Sequence, residues 1–333
     1  MFKMTEKLQE IAIKLLENKE VDMVLGYTKG KGTFEFIPYI ATSPHEAKNL
    51  IFDAFSEKAL SKYLLQDGFQ NKKTALVVKG CDHRAIKLML GESRIQRDQI
   101  YLIGVQCSGM IKKDQLKKEI GQELGEIQLE FNTDFLEVKN KERKKKVKYE
   151  KILSPFCLSC KYSTPPKEEV DVLITGDNIP KVIEEKKLTL KECFTDIDEI
   201  EKMSRKERFE FWKRQLNRCK RCYSCRNACP VCTCRVCIFD RENPDYIDAD
   251  KSELAQHQFY HIIRAFHVSD RCVGCGECSR VCPENIPLHL LNQKLKGDLH
   301  EFYGSYEAGI DQLPTPLSSA KADEPNFFEK EGK

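Results

Sequence analysis

Two cysteine runs of one spacing carry the chemistry of this chain: Cys219-x2-Cys222-x2-Cys225-x3-Cys229-Pro230 and Cys272-x2-Cys275-x2-Cys278-x3-Cys282-Pro283. This is the spacing that wraps a [4Fe-4S] cluster. The tight x2 steps bring three thiolates onto one face of a cube. The fourth cysteine, ahead of a proline that ends the turn, faces a neighbouring cube. In two-cluster ferredoxins that last cysteine ligates the other cluster. The expected sets are therefore Cys219, Cys222, Cys225 and Cys282 on one cluster, and Cys272, Cys275, Cys278 and Cys229 on the other. Zinc sites and disulfide frameworks compete for the same residue type, but paired zinc knuckles seldom carry a Pro-closed run of four cysteines twice.

Half of the chain's 16 cysteines lie outside these runs. Residues 75–78 form a short apolar stretch that reads as a strand and ends at Gly80-Cys81; residues 100–105 form a second, ending at Gln106-Cys107. In open α/β sheets, sites form at the carboxyl ends of strands. A lone cysteine is ordinarily a small buried hydrophobe. Two at equivalent strand ends, with the unpartnered Cys157-x2-Cys160 pair after Pro155, would complete a further four-thiolate set. Cys193, Cys232, Cys234 and Cys237 are left over. A cube takes four thiolates, so a further metal centre is expected on Cys232, Cys234 and Cys237 with Cys193. The alternative is that these are packing residues or a zinc knuckle. His257 and His261, spaced i, i+4, have no carboxylate as a third ligand and read as structural.

The elements that must position these residues follow from periodicity. Residues 5–19 have helical spacing at Leu8, Ile11, Ala12, Leu15 and Leu16. Residues 21–27 and 33–40 read as strands around a Lys-Gly-Lys-Gly turn, and Ser43-Pro44-His45-Glu46 reads as a helix start. Residues 84–90 continue the first strand end into a helix, and residues 170–175 are another strand, ending at Gly176-Asp177. Strands followed by helices indicate a mainly parallel sheet. The basic stretch 139–151 reads as a solvated linker or helix face, with a docking strip for an acidic partner or a phosphate-bearing cofactor as the sharper alternative. From Ser204-x-x-Glu207, a capping box, the pattern turns helical. Residues 252–267, between the two runs, read as a helix. From Leu313 the chain has little periodicity and reads as an extended or disordered arm.

The chain's 333 residues leave room for roughly two domains. A net charge of +3 is too small to imply nucleic acid. Residues 1–20 read as a charged amphipathic helix rather than a signal peptide, and no run of about 18 apolar residues occurs. The expected location is the cytoplasm, where thiols ligate metal rather than form disulfides. Several exposed clusters also suit anaerobic metabolism. No Walker A loop, no G-x-G-x-x-G after a strand and no hydrolytic triad signature is present. That favours electron transfer over an autonomous catalyst.

The N-terminal half resembles the beta subunit family of coenzyme F420-reducing hydrogenase and F420-linked formate dehydrogenase. The resemblance rests on residues 77–85 (VVKGCDHRA), 100–107 (IYLIGVQC), 157–160 (CLSC) and 170–177 (VDVLITGD). It implies a flavin (FAD) near Gly80 and Gly104, a flavin-proximal [4Fe-4S] cluster on Cys81, Cys107, Cys157 and Cys160, and electron exchange with a carrier. The C-terminal half resembles the helical two-cluster ferredoxin modules of heterodisulfide reductase and succinate dehydrogenase small subunits.

The expected fold is therefore an α/β N-terminal domain with a mainly parallel sheet, followed by a mostly helical bis-[4Fe-4S] ferredoxin domain. The expected boundaries are 1–190, 191–312 and a tail at 313–333. The expected function is that of an electron-transferring iron–sulfur flavoprotein subunit, an oxidoreductase subunit rather than an autonomous enzyme. A flavin would convert between two-electron and one-electron chemistry. The partner is a catalytic subunit of formate dehydrogenase, hydrogenase or heterodisulfide reductase type, and the carrier is F420, NAD or ferredoxin. The rival readings are a non-flavin relay whose N-terminal half only docks the catalytic subunit, and an iron–sulfur assembly or sensing protein.

Overall fold

The computed structural model describes residues 2–121, 124–125, 127–140, 143–176, 180, 195–241, 253–311 and 313–319. Cys193, Asp177, Ser252 and the tail beyond residue 319 lie outside them.

Helix α1 (Phe2–Glu17) buries Leu8, Ala12, Leu15 and Leu16 against a sheet, as its spacing predicts. The sheet is built from β1 (Met23–Lys29), β2 (Phe36–Ala41), β3 (Thr74–Val78) and β4 (Ile100–Val105), with a last strand, Val172–Ile174. Spatial order is β2-β1-β3-β4 and then Val172–Ile174. Only β2 runs antiparallel, pairing Val24 with Ala41 and Lys29 with Phe36; the other pairs are parallel. Every residue of β3 is buried, as a strand covered on both faces requires. Short helix α2 (Pro44–Ala47) starts at the Ser43 cap, and α3 (Gly80–Gly91) leaves β3 directly.

Beyond α4 (Lys113–Ile120), a second sheet of three antiparallel strands is formed by β5 (Gln128–Phe131), β6 (Phe135–Lys139) and β7 (Lys144–Lys148). The basic stretch expected as a linker or helix face is thus largely an edge strand. In β7 only Val147 points into the core, and four lysines face outward. Lysines on an exposed edge discourage pairing with another chain.

The C-terminal part is helical. After α5 (Pro155–Leu158), which belongs to the N-terminal part, its elements are α6 (Thr195–Glu201), α7 (Arg205–Leu216), α8 (Ser224–Asn227), α9 (Leu254–Val268), α10 (Glu277–Arg280) and α11 (Leu288–Tyr303). The Ser204 capping box is made: Glu207 N–H donates to Ser204 Oγ at 3.3 Å and Ser204 N–H to Glu207 Oε2 at 2.9 Å.

Buried charges lock the two halves together. Arg84 of α3 donates from Nε to Ala308 O (2.8 Å), from one terminal nitrogen to Val273 O (3.2 Å) and from the other to Glu307 Oε2 (3.1 Å). Lys296 completes that charge set at 3.0 Å from Glu307. Arg280 bonds Glu277 Oε2 at 2.7 Å, Cys275 O at 2.8 Å and the Glu57 carbonyl. Breaking such buried sets by removing one partner costs about 3–5 kcal/mol. Residues 313–319 are also held: Leu313 packs among Ala85, Leu88 and Val268, and Leu317 N–H donates to Asp270 Oδ2 at 3.1 Å. The start of the tail is therefore docked rather than a free arm.

Candidate metal centres

Cys81 sits at the start of α3, just past the carboxyl end of β3, and Cys107 just past that of β4. Ser154 N–H donates to Met110 O at 2.8 Å and Met110 N–H to Cys157 Sγ at 3.3 Å, so α5 is stitched beside β4. The result is one cavity of about 70 Å³ lined by Cys81, Cys107, Cys157 and Cys160, with Lys79, Arg84 and Tyr162 on its walls. Burial pushes the Cys107 thiol up to about 12, with Cys157 beside it adding to the rise. Cys81 is held well above its usual value by burial first and by Asp82 next. Thiols so desolvated keep their protons unless a cation takes the proton's place, as iron does on ligation. Four thiols on one cavity fit a [4Fe-4S] cluster in number and type.

The twin runs are arranged in exchange. Cys219, Cys222 and Cys225 line one cavity together with Cys282. Cys272, Cys275 and Cys278 line another together with Cys229. In both runs the chain turns left-handed at the same two places, Arg221 and Tyr223 in the first (φ 46° and 60°), Gly274 and Gly276 in the second (φ 70° and 69°). The first of these turns aims an amide at sulfur, Arg221 N–H lying 3.2 Å from Cys219 Sγ; past the left-handed Asn285, Ile286 N–H lies 3.4 Å from Cys282 Sγ. Asn292 Nδ2 approaches Cys278 Sγ at 3.5 Å, and the Tyr260 hydroxyl lies 3.7 Å from Cys225 Sγ. Donors to ligating sulfur tune a cluster's potential.

His261 is the participant that sequence reasoning passed over. Its Nε2 lies 3.2 Å from Cys219 Sγ. Burial pushes it down to about 3, with Arg264 adding to the shift, so the ring is neutral, and toward a metal-ligating thiolate, which only accepts, Nε2 would be the donor. His257 caps Leu216 O at 3.2 Å, a structural role. The i, i+4 spacing was visible, but only the fold brings Cys219 to this face of α9.

Two of these cavities adjoin: Cys275 and Phe156 line both the strand-end cavity and the inner twin-run cavity. Cys232, Cys234 and Cys237 line a separate cleft of about 850 Å³. Among the described residues, no three of His, Cys, Asp and Glu close in around a single metal ion. The corners of a cube stand farther apart than the ligands of one ion. At Gly80 a Cβ would lie 2.0 Å from Tyr162 O; at Gly104 it would lie 3.1 Å from Leu173 and Val170 side chains. The positions directly over these two glycines are therefore taken up by protein.

Comparison with known proteins agrees with these geometries. Residues 215–286 match the model of the 4Fe-4S dicluster domain. The chain carries that domain. F420-dependent formate dehydrogenase subunit beta of Methanocaldococcus jannaschii is 28% identical over 357 residues, covering 91% of each chain. F420-dependent formate dehydrogenase 1 subunit beta of Methanococcus maripaludis is 26% identical over 362 residues, covering 91% of this chain and 90% of its own. The homologues are thus beta subunits of F420-dependent formate dehydrogenase, and their length takes in the dicluster domain. A chain of the xenon-derivatized F420-reducing [NiFe] hydrogenase complex of Methanosarcina barkeri aligns at a TM-score of 0.38, with 15% identity over 48% of this chain and 62% of that one. No helix among the described residues is long and apolar enough to cross a membrane.

Proposed function

We propose that the chain is the electron-transferring iron–sulfur subunit of an oxidoreductase complex of the formate dehydrogenase or hydrogenase type. The observation that carries this reading is a set of three cysteine-lined cavities, the first two adjoining at Cys275, which lines both, and the third lined by Cys219, Cys222, Cys225 and Cys282. Bound [4Fe-4S] clusters supply one-electron transfer.

The chain's own residues do the rest. Cys81, Cys107, Cys157 and Cys160 hold the first centre. Cys229, Cys272, Cys275 and Cys278 hold the inner one, and Cys219, Cys222, Cys225 and Cys282 the outer one. Phe156 and Val273 keep water from the junction of the first two. Cys222 is exposed, so the outer centre reaches the surface, where a partner can take up electrons. Helix α9 leaves Phe259, Ile262 and Phe266 exposed on one side, an apolar face suited to a catalytic subunit. The domain limits proposed for this arrangement are 1–190, 191–312 and 313–333.

The relatives' F420 dependence makes a deazaflavin carrier the leading choice over NAD or ferredoxin, and the family resemblance adds FAD. A second reading, a relay without flavin, is favoured by the filled space over Gly80 and Gly104. The deciding experiment is anaerobic purification of the full chain. The three relay cubes account for about twelve irons per chain, the minimum expected. FAD released on denaturation and separated by chromatography supports the flavin reading; its absence from iron-replete protein supports the second. Cys107→Ala should remove about four irons and leave the dicluster spectrum intact. Unchanged iron content would overturn the strand-end centre.

A further inference from the structure

One group of cysteines is not used by that relay. Cys232, Cys234 and Cys237 follow immediately on Cys229-Pro230, and all three line the cleft between that loop and the segments at 62–71 and 94–99. The loop is anchored from several sides. Cys232 N–H donates to Cys229 O at 3.2 Å, which folds the chain back on the inner set. Arg94 reaches the Thr233 carbonyl, and Arg271 donates to Thr233 Oγ1 at 2.8 Å. Arg226, beside Cys237, is fixed by Asp240 at 2.7 Å. Lys62 enters between Cys232 and Cys229 and is tied to Arg226 O at 2.8 Å.

Packing alone does not account for this arrangement. Cys232 and Cys237 pack at the margins of two apolar clusters, but Cys234 is exposed and has no such place, although all three face one cleft. Three unligated thiols on an open cleft would be open to oxidation. The charge of the cleft suits an anionic cube on thiolates: Lys62, Arg94, Arg226 and Arg235 line it against Asp67 and Asp240, the last of which pairs with Arg226.

We propose that Cys232, Cys234 and Cys237 hold a further [4Fe-4S] cluster at this cleft, a branch off the relay at Cys229. Three corners are protein thiolates and the fourth faces the cleft. The site rests on the iron–sulfur reading of the chain but makes a separate demand on it. The turn from Cys229 to Cys232 places it beside the inner centre. Electrons reaching that centre therefore have two exits, the outer twin-run centre and this one.

The test compares full-length wild-type chain with C232S/C234S/C237S, both purified anaerobically. Wild type should carry about sixteen irons and the variant about twelve, with one paramagnetic signal missing on reduction. In the wild-type protein Cys234 should resist iodoacetamide until iron is chelated, a readout that needs no variant to fold. Equal iron in both chains, with Cys234 alkylated at the rate of a free exposed thiol, would overturn the branch site and leave the relay standing. Failure of the relay reading shows elsewhere, as unchanged iron in the Cys107→Ala chain.

Discussion

At matching positions of the two cysteine runs the backbone turns left-handed, but the first run does so at Arg221 and Tyr223 and the second at Gly274 and Gly276. The difference follows from what each run touches. A Cβ on Gly276 would lie 2.1 Å from the Phe156 ring, which arrives from the N-terminal half and closes over the inner cavity. In the first run both positions carry side chains, and that of Arg221 is itself buried. There Tyr223 turns its ring against Tyr260 (5.3 Å) and under Arg226 (4.5 Å), so side chains cover the outer centre. A left-handed non-glycine residue costs about 1–2 kcal/mol. The outer run accepts that cost for local cover, and the inner run gives up side chains so that another part of the chain can press in. One spacing thus serves a surface position in one copy and a junction in the other.

The comparison can be broken most severely at the exchanged cysteines. Cys229→Ser, although in the first run, should abolish the same signal as Cys272→Ser, and Cys282→Ser the same signal as Cys225→Ser, each with a loss of about four irons. Spectra of the reduced variants check this; signals that pair within each run would refute the exchange. Next in size come the left-handed positions. Gly276→Ala should destabilise the chain by about 2–5 kcal/mol, through left-handed strain plus overpacking against Phe156. Tyr223→Gly should change stability by less than about 1 kcal/mol, because relief of strain is offset by lost ring contacts. Anaerobic thermal melts separate the two, and equal losses would show the runs to be equivalent.

Smaller again are the sulfur contacts. His261→Phe removes an N–H at 3.2 Å from Cys219 and should lower the outer centre's potential by on the order of 50 mV, since a hydrogen bond to sulfur favours the reduced, more negative state. Asn292→Leu removes a longer contact, 3.5 Å to Cys278, and should lower the inner potential by less. Redox titration followed by electron paramagnetic resonance resolves the two. An unmoved outer potential in His261→Phe would remove the histidine from the tuning set.

Much of this was legible because cysteine spacing is a local code. The twin runs needed only counting, and the rule that the fourth cysteine crosses over pointed to the grouping of Cys282 with Cys219. Cys81 and Cys107 were readable one level up, as matching ends of two apolar strands. The hairpin sheet from 128 to 148 was not: in β7 a single buried Val147 stands among lysines, and alternation with so little apolar content looks like solvated chain. His261 was unreadable for another reason. Its importance lies in a contact 42 residues away in sequence, which no periodicity encodes. What stands over the two glycines was not legible either. Gly80 and Gly104 stand at strand and helix junctions where a cofactor often needs room, and here the Tyr162 carbonyl and the side chains of Leu173 and Val170 occupy that room.

The reach of Arg84 across the molecule also sets an order for biosynthesis. Its partners Val273, Glu307 and Ala308 are made some 190 to 220 residues after it. The four cysteines of the strand-end cavity are all made by residue 160, well before the cavity's remaining wall, from Val273 to Glu307. Until then the nascent chain presents an open, half-walled thiol bowl, accessible to a scaffold or carrier that delivers iron and sulfide. Once Arg84 engages the last segment, the bowl closes. Cluster delivery to the first centre is therefore easiest during synthesis, and a full-length apo chain must reopen a buried charge set before it can be refilled.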